Sequence, residues 1–101
     1  MMNTVIIAPS KNKLKKFDAT INGTKTISFG DKRYEDYTIH KDDVRQRRYI
    51  IRHRKAERWD DPTTAGALSR WLLWNKKTLQ SSIDDMNQRF KNYHFILKLN
   101  N

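Results

Sequence analysis

A chain of 101 residues suits one domain and leaves no room for a second fold or a large catalytic cleft. Lys and Arg number 21 against 11 Asp and Glu, a formal charge of +10, which points to an anionic partner: nucleic acid, an acidic protein surface or anionic lipid. The absence of cysteine excludes a disulfide framework and thiolate zinc sites, and no apolar run approaches the length of a membrane span. The opening segment, with no basic stretch and only a short apolar one, gives no sign of secretion.

Three short strands come first. Thr4 to Ala8 is a β-branched run that Pro9 stops, and Ser10 to Lys13 is a polar loop. Lys15 to Ile21 alternates, with Phe17, Ala19 and Ile21 on one side. Asn22-Gly23 follows, the dipeptide that accepts positive φ at both centres of a type I′ turn, and Thr24 to Phe29 returns the hairpin. An isolated hairpin is marginal in water, so this sheet should cover something.

The period then changes, and three helices are expected. Asp42 to Trp59 opens with two aspartates that favour its first turn, and Asp60-Asp61-Pro62 ends it. Thr63 or Thr64 caps a second helix from Ala65 to about Asn75; Ala67, Leu68, Trp71, Leu72, Leu73 and Trp74 surround most of its axis, which places it at the domain centre. Thr78 caps a third, Leu79 to Phe90, with Leu79, Ile83, Met86 and Phe90 in one seam. Tyr93, Phe95, Leu97 and Leu99 then alternate as in a strand. The expected fold is α+β: an antiparallel N-terminal hairpin sheet, three α-helices, one compact domain over residues 1–90, and a hydrophobic tail over 91–101 with a C-terminal strand. That strand covers its own sheet or adds to a neighbour's open edge.

The candidate binding residues are basic. Lys41 to Arg58 holds eight Lys or Arg against three acids, a net of +5, with Arg45, Arg47, Arg48, Arg52, Arg54, Lys55 and Arg58 available for phosphate or carboxylate. Tyr49 and Trp59 offer flat faces beside them for stacking. Lys11, Lys13, Lys15 and Lys16 form a second cluster suited to a phosphate backbone. This pattern fits either a polyanion or an acidic protein. No nucleophile elbow, glycine-rich phosphate loop or metal-ligand spacing appears, so no catalytic residue, metal or cofactor is assigned. His40, three residues before Asp43, reads as a structural hydrogen-bonding group at the helix start.

The stretches YTIHKDDVRQRRYIIRHR and TAGALSRWLLWNKKTL, with Gly30, Ile83 and Phe90 around them, resemble a family of short, uncharacterised proteins encoded by large nucleocytoplasmic DNA viruses, the giant and algal viruses. The resemblance covers roughly Phe17 to Phe90. It implies a viral origin and little chemistry, because the family has no established catalytic residues. The expectation is a non-enzymatic structural protein of the virion, of minor-capsid or internal-adaptor type. It would contact other virion proteins, the packaged DNA, or both, and pass through host cytoplasm or nucleus during assembly. The alternative is a sequence-nonspecific DNA- or RNA-binding protein of replication, expression or packaging. Neither reading calls for a small-molecule substrate or a membrane.

Overall fold

The computed structural model describes residues 2–99. β1 (Asn3–Pro9), β2 (Lys15–Ile21) and β3 (Lys25–Asp31) form an antiparallel meander. Asn22 and Gly23 join β2 to β3 with φ of 51° and 71°, the positive values that a type I′ turn requires. β4 (Tyr93–Leu97) pairs with β1 in parallel, so the sheet order is β3-β2-β1-β4.

Four helices lie between β3 and β4, where the sequence suggests three. α1 (Tyr37–His40) is a single turn capped by Asp36, and α2 (Asp43–His53) follows it across Lys41, a left-handed residue with φ 56°. α2 therefore stops well short of Trp59. The stop comes from tertiary packing, with no proline or glycine at the site. Trp59 folds back to lie 6.4 Å from the Tyr49 ring, and its carbonyl accepts the Trp71 indole N–H at 2.7 Å. A helix continued through 59 would carry that indole away from both. α3 (Ala65–Leu68) runs on as a π-helical turn, Ser69–Leu73, and α4 (Leu79–Arg89) closes the set.

The sheet register puts Val5, Ile7, Ala19, Phe29 and Phe95 on one face, where they meet Leu68, Leu72, Leu73, Ile83 and Met86 in a single buried core. Each such aliphatic or aromatic side chain contributes about 1.5–3 kcal/mol by leaving water. The helix after Thr64 is central, as its composition suggests, but Trp71 and Trp74 are only partly buried at its margin. α2 contributes Tyr49 alone to the buried set, so it is an outer helix.

The C-terminal strand lies on the chain's own sheet, so the packed fold runs past residue 90. Phe95 sits in the core, and Tyr93 and Leu97 pack against it. Leu99 follows the strand and is exposed. The free edge of β4 is also occupied: Asn87 on α4 accepts the Phe95 N–H at 2.7 Å and donates to the Phe95 carbonyl at 3.1 Å. One side-chain amide thus stands in for a neighbouring strand, which leaves Tyr93, Phe95 and Leu97 poorly placed to extend another sheet.

Candidate functional site

Two features adjoin along α2: its outer face and a cleft beneath its C-terminal half. α2 is held at its start by a relay of caps. Asp42 accepts the Val44 and Arg45 N–H groups, and His40 Nδ1 accepts the Asp42 N–H at 2.9 Å. His40 is thus structural, and burial lowers its pKa, with Arg45 nearby acting the same way. Lys41 is not part of the basic face: its ammonium donates to the carbonyls of Thr38 and Lys77.

Along the outer face of α2 and the turn that follows it, Arg45, Arg47, Arg48, Arg52, Arg54, Lys55 and Arg58 are all exposed. Arg45 lies 3.8 Å from Glu35 and Arg58 3.6 Å from Asp60, both at the surface where such pairs contribute little. Arg47, Arg48, Arg52, Arg54 and Lys55 make no ion pair among the described residues. Val44 and Ile51 stand between them, 47% and 65% exposed. The helix presents unpaired guanidinium groups with two aliphatic side chains interleaved.

The stacking role expected of Tyr49 and Trp59 is not available as the sequence suggests. Tyr49 is only 7% exposed, and both faces of its ring are covered, by Trp74 at 4.4 Å and 2° and by His53 at 4.4 Å. Trp59 is half-buried, with its indole N–H on Glu57 and the Arg70 guanidinium 5.4 Å from its ring. Arg70 also lies 4.4 Å from the Trp71 ring and donates to the Trp74 carbonyl; burial lowers its pKa, with Arg89 adding to the effect. These aromatics and cations make an internal ladder that ties α2 to the π turn.

The second basic cluster divides. Lys11 and Lys13 are exposed in the loop, whereas Lys15 and Lys16 reach a cleft of about 480 Å³ between the end of β3, α2 and α3. Lys16 is committed there: its ammonium is buried 2.6 Å from Asp36 Oδ2, and Asp36 also accepts from the Thr38 N–H and hydroxyl. Lys16 is therefore removed from the anion-binding set.

The other cleft carboxylates are engaged as well. Asp31 binds Arg33, which holds its pKa down to about 2, and Glu57 takes His53 Nδ1 at 3.2 Å and the Trp59 indole. Glu35 faces Arg45. Lys15 makes no ion pair but adds to the lowering of the Asp31 pKa, and Arg52 and the Tyr49 hydroxyl have no partner among the described residues. Burial raises the Tyr49 pKa, so the phenol keeps its proton.

Sequence reasoning missed this cleft because its walls come from four separate elements. The sequence signal for it is glycine. Gly30 has φ +81°, and a Cβ on it would meet Leu73 Cδ1 at 2.9 Å; one on Gly66 would meet the Glu57 carboxyl carbon at 3.0 Å. Both glycines let the cleft walls approach closely. Among the described residues no group of three His, Cys, Asp or Glu is placed to hold a metal ion, and no helix is long and apolar enough to cross a membrane.

Residues 5–53, from β1 to the end of α2, match the model of a family of unknown function (DUF5754). The matched part includes Lys11 to Lys16, Arg45 to Arg52, Tyr49 and His53; Arg54, Lys55, Arg58, α3 and the π turn lie outside it. No curated protein and no solved structure matches the chain.

Proposed function

We propose that this chain is a non-enzymatic basic binding module that lays the outer face of α2 on a nucleic-acid backbone. Its setting is a large DNA virus particle, where the backbone is that of the packaged genome. The observation that carries the reading is the set of five basic side chains on α2 and the turn after it, Arg47 to Lys55, with no carboxylate partner. Arginines fit phosphate through two parallel N–H donors, and an outer helix whose inner side is anchored by Tyr49 and Gln46 can approach a polyanion with its outer face without unfolding the core. Such contact positions the protein and carries no base information, so binding should be indifferent to sequence.

The test is a charge reversal away from every packed residue. Arg47→Glu with Arg48→Glu should weaken binding to a circular DNA duplex by more than about tenfold at low salt. The melting temperature should not move, because neither side chain has a partner to lose. Lys11→Glu with Lys13→Glu should have a smaller effect. Undiminished duplex binding in the arginine variant would contradict the proposal.

Val44 and Ile51 favour a second reading, docking of the same face on an acidic protein surface of the virion. Exposed aliphatics among arginines suit the apolar centre and charged rim of a protein interface better than a phosphate backbone. In that case the chain should be present in purified particles in fixed proportion to one other protein, and Ile51→Ser should remove it from them.

A further inference from the structure

A second surface joins exposed apolar groups to free cations, at the end of the sheet opposite the Asn22-Gly23 turn. The loop from Ser10 to Leu14 is pinned there by its own hydrogen bonds. Asp18 accepts the Ser10 hydroxyl at 2.6 Å and the Lys11 N–H at 3.2 Å, and Asn12 accepts the Leu14 N–H on its side chain and the Lys15 N–H on its carbonyl. These bonds hold the Leu14 side chain out in water, 68% exposed. The Leu14 carbonyl accepts the Lys32 N–H at 3.2 Å, which ties the loop to the segment after β3. From Lys32 an apolar groove of about 420 Å³ runs to α1. Phe17 and Leu79 lie half-buried in its lining, and Tyr34 and Ile39 stand beside them, 65% and 53% exposed. Exposed apolar side chains scattered singly need no explanation, but three gathered around one groove mark a contact surface.

The charge around the groove decides the partner. Its carboxylates face cations of their own, Asp36 with Lys16 and Glu35 with Arg45, and Arg33 is held by Asp31. Lys11, Lys13 and Lys32 are exposed and make no ion pair among the described residues. The surface therefore asks for an anionic partner that also has an apolar interior. A nucleic-acid backbone meets the first demand and leaves Leu14 and Ile39 uncovered. An anionic bilayer meets both, with headgroups for the lysines and an acyl boundary for the apolar side chains. Tyr34 suits that boundary as well, since its ring is apolar and its hydroxyl polar. The shape agrees: Leu14 sits at the tip of a projecting loop, placed to insert.

We infer that this end of the molecule docks on an anionic lipid bilayer, with Leu14, Tyr34 and Ile39 entering the boundary between headgroups and acyl chains and Lys11, Lys13 and Lys32 on the lipid phosphates. Docking of this kind lies on the bilayer and needs no spanning helix. Arg47 and Arg48 belong to neither the loop nor the groove, so the docking does not depend on the nucleic-acid reading of α2.

The test is flotation of the full chain at low salt with vesicles of phosphatidylcholine, either alone or carrying about one-third phosphatidylserine. Binding to the anionic vesicles is expected, at least about tenfold tighter than to the neutral ones. Leu14→Ser should weaken it about tenfold at an unchanged melting temperature, because that side chain already stands in water in the free protein. Lys13→Glu with Lys32→Glu should weaken it by at least about tenfold. Arg47→Glu with Arg48→Glu should lose circular duplex and keep the vesicles, and Leu14→Ser should do the reverse, so the two proposals fail separately. No binding to the anionic vesicles would overturn the docking and leave an acidic protein as the partner of this surface. Equal affinity in Leu14→Ser would overturn it too, since adsorption by charge alone has no use for the leucine.

Discussion

At the scale of single residues, His40 makes the stability of this molecule depend on pH. Its Nδ1 accepts the Asp42 N–H, and its buried Nε2 has no partner among the described residues, so the ring works as a neutral acceptor. Arg45 opposes its protonation, while Asp42, Glu35 and Asp36 favour it, and burial outweighs all of them to leave the pKa lowered. A histidine with a depressed folded pKa adds stability that is complete above its unfolded value of about 6.5 and is lost as the pH falls through the folded one. Melting curves between neutral and mildly acidic pH should therefore show a loss that His40→Asn, which keeps an acceptor but does not titrate, lacks. An identical pH profile in the two proteins would contradict this role. Trp74 gives a second test at this scale. It is half-buried at the edge of the core but stacks on Tyr49 at 2°, so Trp74→Ala should cost about 3 kcal/mol in chemical denaturation, the low end for a large aromatic.

At the scale of elements, the β4 edge is the clearest case of local structure controlled by one side chain. Asn87→Ala removes both bonds to the Phe95 backbone, and a buried backbone pair left unmet costs about 1–3 kcal/mol. The variant should melt earlier and associate with rising concentration, because the strand edge it uncovers can pair with another copy. A monomer of unchanged stability by sedimentation and melting would show that the cap is idle. The sequence discloses β4 as a strand through its alternation, but its place beside β1 depends on a pairing some 90 residues away in sequence, which no local pattern carries. The same division runs through the other elements. β2 and the Asn22-Gly23 turn are legible because period-two alternation and positive φ are local properties. α4 is legible because Ile83 and Met86 recur on one side, and both are buried. The end of α2 is not, since Trp59 stops it by packing at a distance. α1 is a single turn, too short to show a period. The π turn after Leu68 is invisible too, because Ser69 to Leu73 reads as ordinary helix until the Trp74 N–H is seen to reach the Ser69 carbonyl.

At the scale of the whole molecule, a two-layer domain covers one face of its sheet with helices and holds α2 outside them, and most of its +10 charge lies at the surface. The surplus of basic residues is legible from composition alone. Which basic side chains stay unpaired is not, because the sequence ranks Lys16 and Lys41 with the arginines, whereas folding commits Lys16 to Asp36 and Lys41 to two carbonyls. The proposed docking depends on the unpaired set from Arg47 to Lys55. The salt dependence of binding to a circular DNA duplex tests it most directly, since each neutralised phosphate contributes about −0.9 to the slope of log K against log salt. Four or five contacts from α2 and the turn after it predict a slope near −4, falling by about 2 in Arg47→Glu with Arg48→Glu. A slope near zero, or one that the double variant leaves unchanged, would contradict it.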